Sequence, residues 1–302
     1  MIPKFPIFKS LELSDKNEIE KLTLKYEPYS DFNFVDMWSW NIDRKLELSE
    51  LNGNLIIKTK EYFSDTYYYS FLGNNKVTTT VDQLFSLLND SKTLKPQLIL
   101  VPEVSLNGLN TNNYYIEIDL NSYDYIYDIE DLSVYPGSKF SDKRRKINTF
   151  FRTHKNYSAR LIDIHDSEIK RQILGLNEIW NDNKSKPDEG FFLPKEHLAI
   201  NSFLEADFEG VMCMGIYVED RLIGYSTFTI LTNDYAICHF SKADITSYGV
   251  YEYMMRETAS ILLGHKVKYL NYQEDLGLAG LRFFKNSFSP IKFLRKYYIK
   301  PF

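Results

Sequence analysis

The chain has 302 residues and a net charge of −5, with 44% hydrophobic and 25% charged residues. This is the make-up of an ordinary globular protein long enough for two cores, and its acidic balance excludes an indiscriminate nucleic-acid binder. No apolar run approaches the ~20 residues that a bilayer crossing needs, and MIPKFPIFKS lacks the charged-then-apolar pattern of a secretion signal, so a cytoplasmic protein without stable membrane insertion is expected.

In chain order, residues 11–26 predict a helix with Ser14 as N-cap and Ile19, Leu22 and Tyr26 at helical spacing. The aromatic run 26–41, with Trp38 and Trp40, supplies core contacts or lines a cleft. Between 45 and 73 the pattern is of strands, with Asn52-Gly53 as a hairpin turn and the tyrosine-rich DTYYYSFLG after it. A helix over 81–90 and a strand over 98–104 complete a small unit with a mostly antiparallel sheet. Residues 121–137 form a break marked by Asp124, Asp128, Glu130, Asp131 and Pro136-Gly137.

The segment 139–155 then carries seven Lys or Arg against one acid. Ser141 caps a helix with Ile147 and Phe151 as its apolar stripe. Two readings stand: a solvated linking helix, or a cluster in which Lys143, Arg144, Arg145 and Lys146 meet phosphate on a substrate or carrier. The second unit follows with a strand at 158–164, helices at 166–182 and 193–206 around a loop, and a hairpin over 211–230 turning at Glu219-Asp220. Cys213 and Cys238 lie in apolar strand-like runs, as reduced buried thiols do. The expected division is 1–120, a linking segment 121–158, and 159–302 with the active cleft.

The five histidines show no HExxH and no ligand-like spacing with the cysteines, so no metal site is expected. Walker A, G-x-S-x-G and G-x-G-x-x-G are absent as well. Two stretches remain. In ITSYGVYEYM a strand feeds a helix through one glycine, and backbone N–H groups near Tyr248, Gly249 and Val250 suit a donor phosphate. In NYQEDLGLAGLRFFKNS, alternation on a strand end puts Asn271, Gln273 and Asp275 on one side and Tyr272 and Glu274 on the other. Arg282 and Lys285 share a helix face three residues apart. Glu274 or Asp275 would serve as catalytic base, with Asn271, Gln273, Arg282, Lys285 and His239 binding the acceptor, and the bland alternative is a structural ion-pair network.

The run HFSKADITSYGVYEYMMRE, then YLNYQEDLGLAGLRFFKNSFSPIKFLRKY, resembles the C-terminal catalytic domain of bacterial phosphatidylglycerol lysyltransferases. YDYIYDIEDLSVYPGSKFSDKRRKINTF resembles that family's basic linking helix, and YSDFNFVDMWSW its aromatic signature. The resemblance implies an α/β (α+β) protein of two tandem GNAT-like domains, as in the Fem-type ligases. It implies transfer of an acyl or aminoacyl group to an amine or hydroxyl, with acyl-coenzyme A or aminoacyl-tRNA as donor, and tRNA among the partners. The sequence holds no counterpart of the family's transmembrane part, and SYGVY lacks the second small residue of the R/Q-x-x-G-x-G/A loop. The alternative function is a catalytically degenerate binding module for a phosphorylated ligand or a partner protein.

Overall fold

The structure is a computed structural model and describes residues 1–60, 66–89, 96–184, 193–232 and 234–302. It divides into two compact units. The first comprises Met1–Asp124, Glu274–Arg282 and Phe293–Phe302, and the second Tyr125–Gln273 and Phe283–Lys292. The borders therefore differ from the expected 1–120, 121–158 and 159–302. The chain returns to its first unit twice near its C-terminal end, and the expected linking segment is part of the second from Tyr125 on.

In the first unit, strands β1 (Lys9–Ser10), β2 (Glu47–Leu51), β3 (Asn54–Lys60), β4 (Tyr67–Leu72), β5 (Leu98–Pro102) and β6 (Tyr114–Ile118) form a sheet in which the C-terminal strand Lys296–Pro301 lies between β5 and β6. The hairpin β2–β3 turns at Asn52-Gly53, where both residues have positive φ (56° and 82°), the conformation that matches strand twist. Helix α1 (Lys16–Thr23) starts later than expected. Its entry is fixed by reciprocal bonds between Glu12 and Asp15, so Ser14 is not the cap. After α2 (Phe34–Ser39), α3 (Val77–Asn89) connects β4 to a parallel β5. It packs Val77, Val81, Leu84, Phe85 and Leu88 onto Ile56, Phe71, Val101 and Ile299, positions at helical spacing on one face.

The second unit contains β7 (Asp124–Asp128), β8 (Tyr157–Ile162), β9 (Val211–Val218), β10 (Arg221–Ile230), β11 (Tyr235–Ala243) and β12 (Tyr269–Asn271), paired in the order β7-β12-β11-β10-β9-β8. The short strand β13 (Lys292–Leu294) precedes the C-terminal strand, which is β14. Strands β8 to β11 are antiparallel, and β12 runs parallel to β11. The expected break at 121–137 is instead the buried strand β7, followed by α4 (Ile129–Val134) with Asp128 as its N-cap. Helices α5 (Ser141–Thr153), α6 (Ser167–Lys184), α7 (Leu193–Ala206) and α8 (Val250–Gly264) flank the sheet, and the unit border runs through α9 (Ala279–Asn286). Among the described residues, no helix is long and apolar enough to cross a membrane. Each unit thus has a mixed sheet flanked by helices, in which an antiparallel series ends in a helix and a parallel strand.

Candidate functional site

The chemistry-bearing cluster lies in the first unit and is built around Lys296, the first residue of β14. Its side chain has no exposed surface. The ammonium is 2.9 Å from Asp124, 3.6 Å from Glu274 and in an ion pair with Asp31. Ser30 opens a short turn that brings Asp31 to the same point. Its N–H donates to Asp124 Oδ2 at 2.8 Å, and its hydroxyl lies 2.6 Å from Asp124 Oδ1 and 2.9 Å from Glu274 Oε2. Burial alone would lower the lysine's proton affinity, but the carboxylates of Asp124, Asp31 and Glu274 outweigh it and hold the ammonium well above its ordinary range. Burial drives the Asp31 carboxyl up to about 7. Lys296 pulls back, while Glu274 and Asp124 push the same way as burial.

Beside this cluster is a cavity of about 210 Å³ with Asp31 and Glu274 in its wall. Tyr68, Ile99, Leu100, Leu276 and Tyr298 also line it, together with Asp119. Asp31 Oδ2 is buried and receives no aligned hydrogen bond. Two carboxyls in a cavity that Tyr68 and Tyr298 also line suit a small amine.

The remaining expected residues have other placements. The alternation expected from 271 to 275 fails because Gln273 has a φ of 58°, which ends the strand at Asn271. Asp275 is buried, accepts two bonds of 2.8 Å from the Arg282 fork and caps Gly277 N–H at 2.8 Å. Arg282 also donates to Leu120 and Asn121, so this pair fixes a turn, and Asp275 is not among the cavity's lining residues. Lys285 belongs to the second unit, where it donates to Tyr272 O at 2.6 Å. Asn271 is fully buried and bonds the Gln273 N–H, while Gln273 donates to Cys238 O. His239 is a core residue, its Nε2 2.9 Å from Thr229 Oγ1. Cys213 and Cys238 are buried thiols outside any disulfide, and burial pushes the Cys213 thiol up.

At the turn into α8, Gly249 has a φ of 88°, and a Cβ there would lie 2.3 Å from the Lys146 carbonyl. The glycine is explained by close packing on α5. Asp244 fills the turn from within, accepting from Thr246 N–H at 3.0 Å and Thr246 Oγ1 at 2.6 Å and from Arg221 at 3.1 Å. Val250 is buried with its N–H on Ser247 O, and Tyr248 is exposed. The corresponding turn of the first unit is filled likewise: Gly73 N–H donates to Ser105 Oγ and Asn75 N–H to Asn54 Oδ1, both at 3.1 Å. On α5, Lys143 is buried against Glu252, Ser287 and the Phe288 ring, and burial lowers its proton affinity. Arg144 donates to the carbonyls of Tyr135 and Gly137, and Arg145 pairs with Asp142 at 2.5 Å. Together with Arg152, these two arginines line an open groove of about 640 Å³.

Two units that each follow antiparallel strands with a helix and a parallel strand define an α/β protein of two mixed-sheet units. The chain belongs to the family described as phosphatidylglycerol lysyltransferase, C-terminal, whose pattern matches residues 24–300. Among solved structures, a Bacteroides thetaiotaomicron protein of unknown function is 23% identical with a TM-score of 0.81, each chain being covered in full. L-PGS from Bacillus licheniformis is 10% identical at a TM-score of 0.64, covering 100% of this chain and 94% of the other. The C-terminal domain of an Agrobacterium fabrum protein named for lysylphosphatidylglycerol synthetase is 11% identical at 0.63, covering 95% and 90%. At these identities the likeness is one of fold. No curated protein matches the sequence.

Proposed function

We propose that the protein is an acyl- or aminoacyltransferase that uses the acidic cleft of its first unit. The observation that carries this reading is the pair Asp31 and Glu274, both in a cavity wall and both held by the buried Lys296. An amine or hydroxyl must lose a proton to attack an acyl carbon, and a carboxyl that titrates near neutral pH is suited to accept it. Glu274 thus keeps its role as a candidate base and Asp31 joins it, while Asp275 orders the turn through Arg282. The family's name supports aminoacyl transfer.

Of the two donors, aminoacyl-tRNA fits better than acyl-coenzyme A. A diphosphate needs turn amides, and Asn54, Ser105 and Asp244 already bond several of those in the two turns. The exposed arginines of α5 offer fork-shaped donors to a polyanionic carrier instead. The test is incubation with charged tRNA or acyl-coenzyme A and a panel of amine and hydroxyl acceptors. Transfer from charged tRNA is expected, slowed about 100-fold or more in Asp31→Asn and Glu274→Gln. Wild-type rates in both variants would remove the cleft from the mechanism, and transfer from acyl-coenzyme A alone would reverse the donor assignment.

A further inference from the structure

Strand β6 ends its sheet, with β14 on one side and, among the described residues, no strand on the other. The phase of the ladder shows what the open side presents. Asp119 N–H donates to Lys296 O at 2.9 Å and Phe302 N–H to Asn113 O at 3.3 Å, so the odd-numbered residues turn their backbone groups toward β14. Those of Tyr114, Ile116 and Ile118 therefore point away from it. Pro301, which has no N–H, stands opposite Tyr114, where β6 asks for no donor. Tyr114 N–H is taken by Thr111 O, which leaves the Tyr114 carbonyl and both groups of Ile116 and Ile118 facing outward. Large apolar side chains accompany them: Tyr115 is 54% exposed, Ile118 39% and Leu120 63%. Sheet ends are ordinarily blunted by shortness, proline or charge. The other ends here follow that rule, since β1 has two residues, β13 has three and β8 carries the exposed Arg160. The one charge on β6, Glu117, is matched by Lys300 at 2.7 Å.

We propose that β6 is an interaction surface for a second copy of this chain, the two strands pairing antiparallel about Ile116 so that the sheets of two molecules become one. The occupant follows from the register, because the outward groups are complementary to themselves. With Ile116 opposite the partner's Ile116, those two residues exchange both backbone bonds, and each Ile118 N–H reaches a Tyr114 carbonyl across the axis. Charge selects the same pairing. Tyr115 then stands opposite the partner's Glu117 on one face, and Tyr114 opposite the partner's Ile118 on the other. Moving the axis to Glu117 sets that carboxylate against its own copy, and moving it to Ile118 sets it against Asp119. Both are like-charge pairs that a sheet disfavours.

The test is sedimentation of the full chain from about 1 to 100 µM, the range of a small protein interface. A dimer is expected, and Ile118→Pro should stay monomeric throughout with a wild-type thermal melt, because proline is tolerated where an edge N–H faces solvent. A second measurement reads the contact itself and does not depend on that variant folding. Chains carrying Tyr115→Cys are mixed with chains carrying Glu117→Cys under mild oxidation. The two positions face each other in a non-hydrogen-bonded pair about 4.5 Å apart between Cα atoms, close enough for a disulfide. The native Cys213 and Cys238 are buried and should not compete. The mixture should give a disulfide-linked dimer, and Tyr115→Cys alone should not. A wild-type chain that is monomeric at about 100 µM overturns the proposal. So does a dimer that persists in folded Ile118→Pro, or a mixture that fails to link.

Discussion

Asp31 ties the cleft's chemistry to its cost. Burial raises its carboxyl to about 7, against an opposing pull from Lys296 and with Glu274 and Asp124 adding to the rise. Its basic form grows as pH rises through about 7, so kcat/KM is expected to rise over the same range and to lose that limb in Asp31→Asn. Stability runs the other way. The unfolded carboxyl loses its proton near 4 and the folded one near 7, so the folded state binds more protons between them. The contribution is complete below about pH 4 and lost by about pH 7. Urea melts at intervals across that range should show the falling slope, and Asp31→Asn should remove it. Lys296→Met leaves buried carboxylates without their cation and is expected to cost about 3–5 kcal/mol. Adding Asp31→Asn should recover part of that loss in a double-mutant cycle; strict additivity would show that the two side chains do not interact. In the sequence only Glu274 was visible, because it stands in an acidic pair at a strand end. Asp31 was hidden among aromatics, Asp124 among the acids of an apparent break and Lys296 in a basic tail. Asp124 and Lys296 are 172 residues apart, and only the pairing of strands brings them together.

At the scale of elements, legibility followed locality. The hairpins at Asn52-Gly53 and Glu219-Asp220 and the helix over 193–206 were carried by turn residues and periodicity within a few positions. Strands β7 and β14 were missed because their flanks are charged and their burial comes from distant partners. The turn before α8 shows how one residue admits two explanations. Gly249 was legible as a phosphate-compatible glycine, yet its φ of 88° and the Lys146 carbonyl 2.3 Å from where a Cβ would stand assign it to the seat of α8 on α5. Gly249→Ala should therefore destabilise the fold by about 1–3 kcal/mol from backbone strain, with more from displacement of α5. Thermal melts read the first effect. Binding of inorganic phosphate reads the other explanation: a variant as stable as wild type that loses phosphate affinity would restore the glycine to a donor site.

The whole molecule is threaded in a way that no local pattern announces. Two units were legible from chain length, and their tandem arrangement from the family resemblance. Their borders were not, because the segments Glu274–Arg282 and Phe293–Phe302 complete the first unit from the far end of the chain. Strand β14 pairs with β5 on one side and β6 on the other, so a fragment of residues 1–124 has a gap inside its sheet and two unpaired strand edges. It also retains Asp31 and Asp124 without Lys296, the cation that both bond. Such a fragment should lack a cooperative urea transition by circular dichroism, even though it holds α3 and most of the hydrophobic cluster. Joining residues 293–302 to it through a flexible Gly/Ser linker should restore the transition, since the strand returns Ile299 to the core and the ammonium to its carboxylates. Cooperative unfolding of the unjoined fragment would show that the N-terminal strands suffice, and that the returning strand serves the cleft without holding up the fold.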